Sequence, residues 1–168
     1  MNELWDYFWP LFALGLLIGG LAGTIAFRRR ARRNLALAVG LAASLAATGL
    51  WHGPLGAADR FSSQVEKQAR TGLDHYEMTQ MSGALHHGPL TRRLIVSGGQ
   101  TLDDWQRGEI VRLFSQLPGV SEAQLSPSPA GTPLIVEGAG AGVLGFLLGL
   151  LLAYLLDLRR RYNAQWNW

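Results

Sequence analysis

No cysteine occurs in this sequence, so no disulfide can staple an exposed domain and no thiolate is available as nucleophile or metal ligand. Charge is scarce as well: only 16% of the 168 residues are Asp, Glu, Lys or Arg. The scarcity is concentrated. Trp9 to Phe27 and Leu35 to Trp51 carry no charged residue, and Leu134 to Leu156 carries one early acid, Glu137. A helix needs about 20 apolar residues, and at least about 17, to cross the hydrocarbon core of a bilayer. The first and third runs clear that length and the middle one just meets it. None shows the polar stripe of a helix lying half in water. The pattern predicts three transmembrane helices.

The constellations that carry chemistry are also missing. "SGGQT" (97–101) lacks the GxxxxGK[ST] framework and a nearby lysine, so it is no phosphate loop. Ser62, Ser63, Ser82 and Ser97 have no GxSxG setting and no patterned base. Asp103 and Asp104 are adjacent and point apart; negative charge at a helix start explains them without acid–base work. His86 and His87 are neighbours, His75 lies about three turns earlier, and no H-x₃-H or HExxH spacing joins them or His52. The expectation is a non-enzymatic chain with no catalytic residue, no cofactor and no metal site.

The charge that is present has a location. The formal net charge is +3. Arg28, Arg29, Arg30, Arg32 and Arg33 follow the first apolar run, and Arg159, Arg160 and Arg161 follow the third. Residues 52 to 137 hold seven basic and nine acidic residues. Short arginine-rich segments at membrane-helix ends stay in the cytoplasm. With three crossings, both clusters fall on one side and agree on one threading. The amino terminus and residues 52 to 137 lie outside, the basic loop and carboxyl tail inside. The arginines also suit contact with anionic lipid headgroups. No basic, aromatic-interleaved face accompanies them, so nucleic-acid binding is not expected. The flank "MNELWDY" carries acids and no Lys or Arg, unlike the charged start of a cleaved signal, so the first run reads as retained. The compartment read from this pattern is the bacterial inner membrane.

The organisation follows: residues 1–33 form the first transmembrane helix and basic loop, 34–54 the second helix, 55–133 a periplasmic domain, 134–158 a last strand leading into the third helix, and 159–168 a cytoplasmic tail. Trp5, Tyr7, Phe8, Trp9, Trp51, Tyr154, Tyr162, Trp166 and Trp168 sit where interfacial aromatics belong, and the tail "NAQWNW" is also a candidate docking peptide. Small residues recur every fourth position in all three runs: Gly15, Gly19 and Gly23; Ala36, Gly40, Ser44 and Thr48; Ala141, Gly145, Gly149 and Ala153. Such stripes let helix backbones approach closely in lipid. They predict either a compact three-helix bundle or a stripe turned toward another chain, with the third helix expected to touch a partner.

In the outer domain, Asp59 to Leu85 reads as a helix through Phe61, Val65, Gln68 or Ala69, Leu73, Tyr76 and Met81, broken at "HHGP". Leu94, Ile95 and Val96 read as a strand. Thr101 is placed to cap a helix with Leu102, Trp105, Ile110, Leu113, Phe114 and Leu117 on one side, stopped at Pro118-Gly119. "VSEAQLS" alternates as a strand, "PSPAG" turns, and "TPLIVEG" gives a last strand. The expected class is membrane α-helical plus a small α+β domain of order α-β-α-β-β.

That order, with Val96-Ser97-Gly98 closing a strand and Leu117-Pro118-Gly119-Val120 leading from helix into strand, resembles the BON domain of bacterial osmotically induced and nodulation proteins. The resemblance covers about half the chain. It gives Gly98 and Gly119 the role of domain turns. It implies a non-catalytic module that binds phospholipid surfaces or envelope proteins. The sequence therefore reads as an inner-membrane scaffold or accessory subunit of a larger complex, its partners membrane lipid and other subunits, with homo-oligomerisation a further reading. The rivals are an oligomeric channel or transport component built on the glycine stripes and a haem- or metal-binding electron-transfer subunit.

Overall fold

The computed structural model describes residues 3–98, 102–125 and 131–165. Thr101, Trp166, Trp168 and most of the "PSPAG" turn lie outside them. The described chain is mostly helical. Its elements are α1 (Glu3–Arg28), a 3₁₀ turn (Arg30–Arg32), α2 (Arg33–His52), α3 (Ala57–His75), β1 (Ser82–His87), β2 (Leu90–Ser97), α4 (Asp104–Phe114), β3 (Glu122–Gln124) and α5 (Leu134–Gln165). Three of them, α1, α2 and α5, are long and apolar enough to cross a membrane. The chain divides into two compact units, one of residues 1–7 and 56–137, the other of 8–55 and 138–168.

The first unit packs two helices on a three-stranded sheet of order β1-β2-β3. β1 and β2 are antiparallel, with Leu85 opposite Leu94, and β3 runs parallel to β2, with Ala123 beside Leu94. Phe61, Val65, Ala69 and Leu73 recur at helical spacing on α3, and all are buried with Leu85, Leu94, Val96, Ala123, Ile110 and Phe114. Together they make the core. Gly98 (φ +102°) and Gly119 (φ +94°) sit in the left-handed region where a side chain strains the backbone. A Cβ on Gly119 would also lie 2.9 Å from Val65 and 3.3 Å from Phe61. Both glycines expected at turns thus hold a backbone conformation that favours glycine.

Several local expectations are corrected. The order in this unit is α-β-β-α-β, not α-β-α-β-β. α3 stops at His75, because Glu77 turns left-handed (φ +58°) and Met78 N–H returns to the Leu73 carbonyl. Tyr76 is exposed, and Met81 is buried just ahead of β1 rather than on a helix. β1 itself, "SGALHH", is poor in strand formers; pairing with β2 makes it a strand. The expected last strand, residues 134–137, is instead the first turn of α5. Pro133 accepts from Val136 and Glu137 N–H groups, and the acid Glu137 suits a helix N-terminus. A single bridge, Thr91 to Pro133, is all the pairing this segment keeps. The β-branched pair Ile135-Val136 argued for a strand, but the apolar run that follows carries the helix through it.

The second unit is built on its small residues. The index along α1 rises with that along α5, so these helices run parallel, while α2 runs against both. A Cβ on Gly15 would strike the Gly142 carbonyl, and one on Gly19 would lie 2.8 Å from the Phe146 carbonyl carbon. One on Gly23 would lie 2.7 Å from the Ala153 Cβ. From the other side, Gly145 faces the Phe12 carbonyl, and a Cβ on Gly149 would reach the Leu16 carbonyl and, at 2.6 Å, the Gly20 nitrogen. On α2, Gly40 faces Ala22 and Phe146, and Ser44 Oγ donates to the Gly142 carbonyl at 3.3 Å.

Candidate functional site

The stripes are thus occupied within the chain. Gly15, Gly19, Gly23, Gly145, Gly149 and Ala153 meet across α1 and α5, and Gly40 and Ser44 bring α2 against them. The expectation that the third helix turns its stripe to a partner is corrected: the backbone of α1 already fills it. Ala141 is only partly buried, whereas Gly142 and Phe146, which the four-residue spacing passed over, are buried. Their signal was the 3-4 alternation Gly142, Gly145, Phe146, Gly149, which follows a real helical face better than a strict four does.

At the arginine end of this unit, Arg28 closes α1, Arg30 and Arg32 lie in the 3₁₀ turn, and Arg33 opens α2. Arg29 N–H donates to the Ile25 carbonyl. The structure brings Arg28 together with part of the second cluster. Arg28, Arg160 and Arg161 share a surface hollow with Phe27 and Asp157, and a smaller cavity of about 90 Å³ shares Phe27, Arg28, Asp157 and Arg160 with it and is lined also by Thr24. Arg161 pairs with Asp157 at 2.7 Å. Phe27 meets Tyr154 edge-on at 5.6 Å between ring centres. Arg159 is exposed on α5. This end concentrates positive charge on the two helix termini that carry the clusters.

In the first unit several polar side chains hold structure. Glu66 Oε1 accepts from Leu85 N–H and meets His87 Nε2, both at 3.0 Å. That carboxylate covers part of the outer edge of β1, a usual way to blunt an edge strand. His86 Nδ1 meets the Pro89 carbonyl at 3.0 Å. Arg92 on β2 pairs with Glu137 at 2.9 Å and donates to the Gly119 carbonyl at 3.1 Å, tying the strand to a turn and to the start of α5. Arg93 pairs with Glu122 at 2.8 Å. The Gln124 side-chain amide first, with Arg93 adding, holds the Glu122 carboxyl below the usual carboxylate range against partial desolvation. Asp103 caps α4: Oδ1 accepts from Gln106 N–H at 2.7 Å, and Gln106 Oε1 accepts from Asp103 N–H at 3.1 Å. The capping box therefore sits two residues beyond the one expected at Thr101.

Two aromatics depart from their expected roles. Tyr7 is no interfacial anchor: it is 2% exposed and packs on Phe61 at 5.8 Å between ring centres. Trp105 was expected on one side of its helix with Ile110 and Phe114. Those two are buried, yet Trp105 is 77% exposed, the most exposed large apolar side chain among the described residues of the unit. It lies on the first turn of α4, before the buried face begins. Among the described residues, no group of three His, Asp or Glu side chains is arranged to hold a metal ion. Compared with family models, curated protein sequences and solved structures, the chain matches none of them.

Proposed function

We propose that this chain is a non-enzymatic, three-span protein of the bacterial inner membrane that serves as a scaffold or accessory subunit. Its unit of residues 56–137 acts as a BON-like contact module on the periplasmic side. The observation that carries the reading is Trp105. Trp105 stands 77% exposed at the start of α4, and Trp is among the side chains that dominate protein interfaces. The α1–α5 contact supports a preformed, rigid membrane anchor. The engagement of Glu66, Asp103, Arg92 and Glu137 in structural bonds supports a binding role over catalysis. The two arginine clusters support the orientation, through the positive-inside tendency.

The test is co-purification. The full chain is recovered in mild detergent after brief cross-linking, as wild type and as Trp105→Ala. An interface tryptophan is worth about 2 kcal/mol or more, roughly thirtyfold in affinity. Trp105→Ala should lose most partner recovery while keeping the wild-type circular dichroism and thermal midpoint. Full recovery of every partner would overturn Trp105 as the contact.

A further inference from the structure

α1 and α2 do not close against each other along their whole length. Toward the arginine end they leave a groove with a volume of about 360 Å³. Its floor is made by the small residues Ala22, Ala36 and Gly40, and Leu21 and Val39 stand beside it. Among the described residues that line it, one alone is polar: Arg32, in the 3₁₀ turn between the helices. We propose that this groove holds an acyl chain of an anionic phospholipid whose phosphate lies on Arg32. The proposal rests on the membrane reading above.

Three observations select a lipid over a partner helix. The lining runs from Ile18 to Ile25 on α1 and from Leu35 to Ala43 on α2. At 1.5 Å per residue that is about 10–12 Å, less than one leaflet of a hydrocarbon core about 30 Å thick. A lipid tail is confined to one leaflet, and the groove's length fits one. Next, Arg32 has no carboxylate within ion-pair distance among the described residues, in contrast to Arg161 with Asp157. Arg32, lining an otherwise apolar groove from the turn between the helices, matches an amphiphile with an anionic head. Finally, Leu21 and Val39 are largely exposed, so the groove opens sideways to the surroundings, where lipid chains are, and not into the bundle.

The experiment uses the full chain in nanodiscs carrying a trace of phosphatidylglycerol with a photoactivatable group on its acyl chain. Unlabelled phosphatidylglycerol or phosphatidylcholine is the competitor, and labelled peptides are mapped by mass spectrometry. Label should concentrate on residues 18–25 and 35–43. Phosphatidylglycerol should compete about fivefold better, the scale of one arginine at an anionic surface. Arg32→Gln should remove that preference while the groove still takes label. Arg33→Gln, beside the groove but not lining it, should keep the preference. Ala36→Phe should cut groove labelling in both lipids, and Ala42→Phe, outside the lining, should not. Equal competition by the two lipids, or cross-links from these peptides to a second protein chain, would overturn the proposal. Trp105→Ala is expected to leave labelling unchanged, so the contact reading and the lipid reading fail separately. Release of the whole protein by alkaline carbonate would overturn the membrane reading on which both stand.

Discussion

Gly19 and Gly20 are adjacent in α1 and sit in opposite surroundings. A Cβ on Gly19 would press into the Phe146 backbone of α5, whereas one on Gly20 would meet nothing within 4 Å. Backbone cannot rotate away as a long side chain can, so Gly19→Ala must push the helices apart. Overpacking of this kind costs about 1–3 kcal/mol. Gly20→Ala should stay within about 0.5 kcal/mol of wild type, as substitutions away from packed features usually do. Equilibrium unfolding in mixed micelles checks the pair, and equal stability of the two variants would remove the α1–α5 contact from the account. Gly149→Leu belongs with Gly19→Ala: it should destabilise the chain itself, although the sequence alone pointed the third helix toward a partner. The stripes were legible as close-packing signals. Which face met which helix was not, because spacing tells where small residues align but not what covers them.

At the scale of the element, the long apolar runs and the period of Phe61, Val65, Ala69 and Leu73 could be read directly, since a helix's buried face repeats in its own sequence. β1 could not: Ser82–His87 is a strand by virtue of β2 beside it. The start of α5 misled for the converse reason, as Ile135 and Val136 favour strands locally while the helix behind them decides. α4 lies between these cases, with its existence legible and its cap displaced from Thr101 to Asp103. Asp103→Ala removes the side-chain acceptor for Gln106 N–H and should cost about 1 kcal/mol, whereas Asp103→Asn retains an acceptor and should cost little. Thermal midpoints of the two variants test this, and identical losses would mean that charge rather than capping matters there. The short strand β3 should carry a pH dependence. Glu122 has its folded-state carboxyl pKa depressed, so its contribution is present above the unfolded value and is lost as pH falls through the lower folded one. Glu122→Gln should flatten that acid-side loss in a stability-against-pH series; an unchanged slope would place the acid sensitivity elsewhere.

For the whole molecule, the proposed threading has a geometric consequence that the packing of the second unit supports. α1 and α5 run parallel, with Gly15 against Gly142 and Gly23 against Ala153, and α2 returns between their ends. Their carboxyl ends therefore lie together, and Arg28 and Arg160 line one hollow. Three spans in this arrangement leave the two arginine clusters on a single face, whichever side of the membrane that is. In the proposed threading the charges set the side, since moving arginine-rich segments across a bilayer is opposed. A reporter active only in the periplasm, fused after Ser128, should be active, and the same reporter fused after Arg32 should be silent. Replacing Arg28, Arg29, Arg32 and Arg33 together by asparagine, with Arg159 to Arg161 retained, should weaken the bias without inverting it, because the second cluster still votes for the same side. Activity after Arg32 and silence after Ser128 in the unaltered chain would reverse the threading. It would also move Trp105, and any partner it holds, to the cytoplasm.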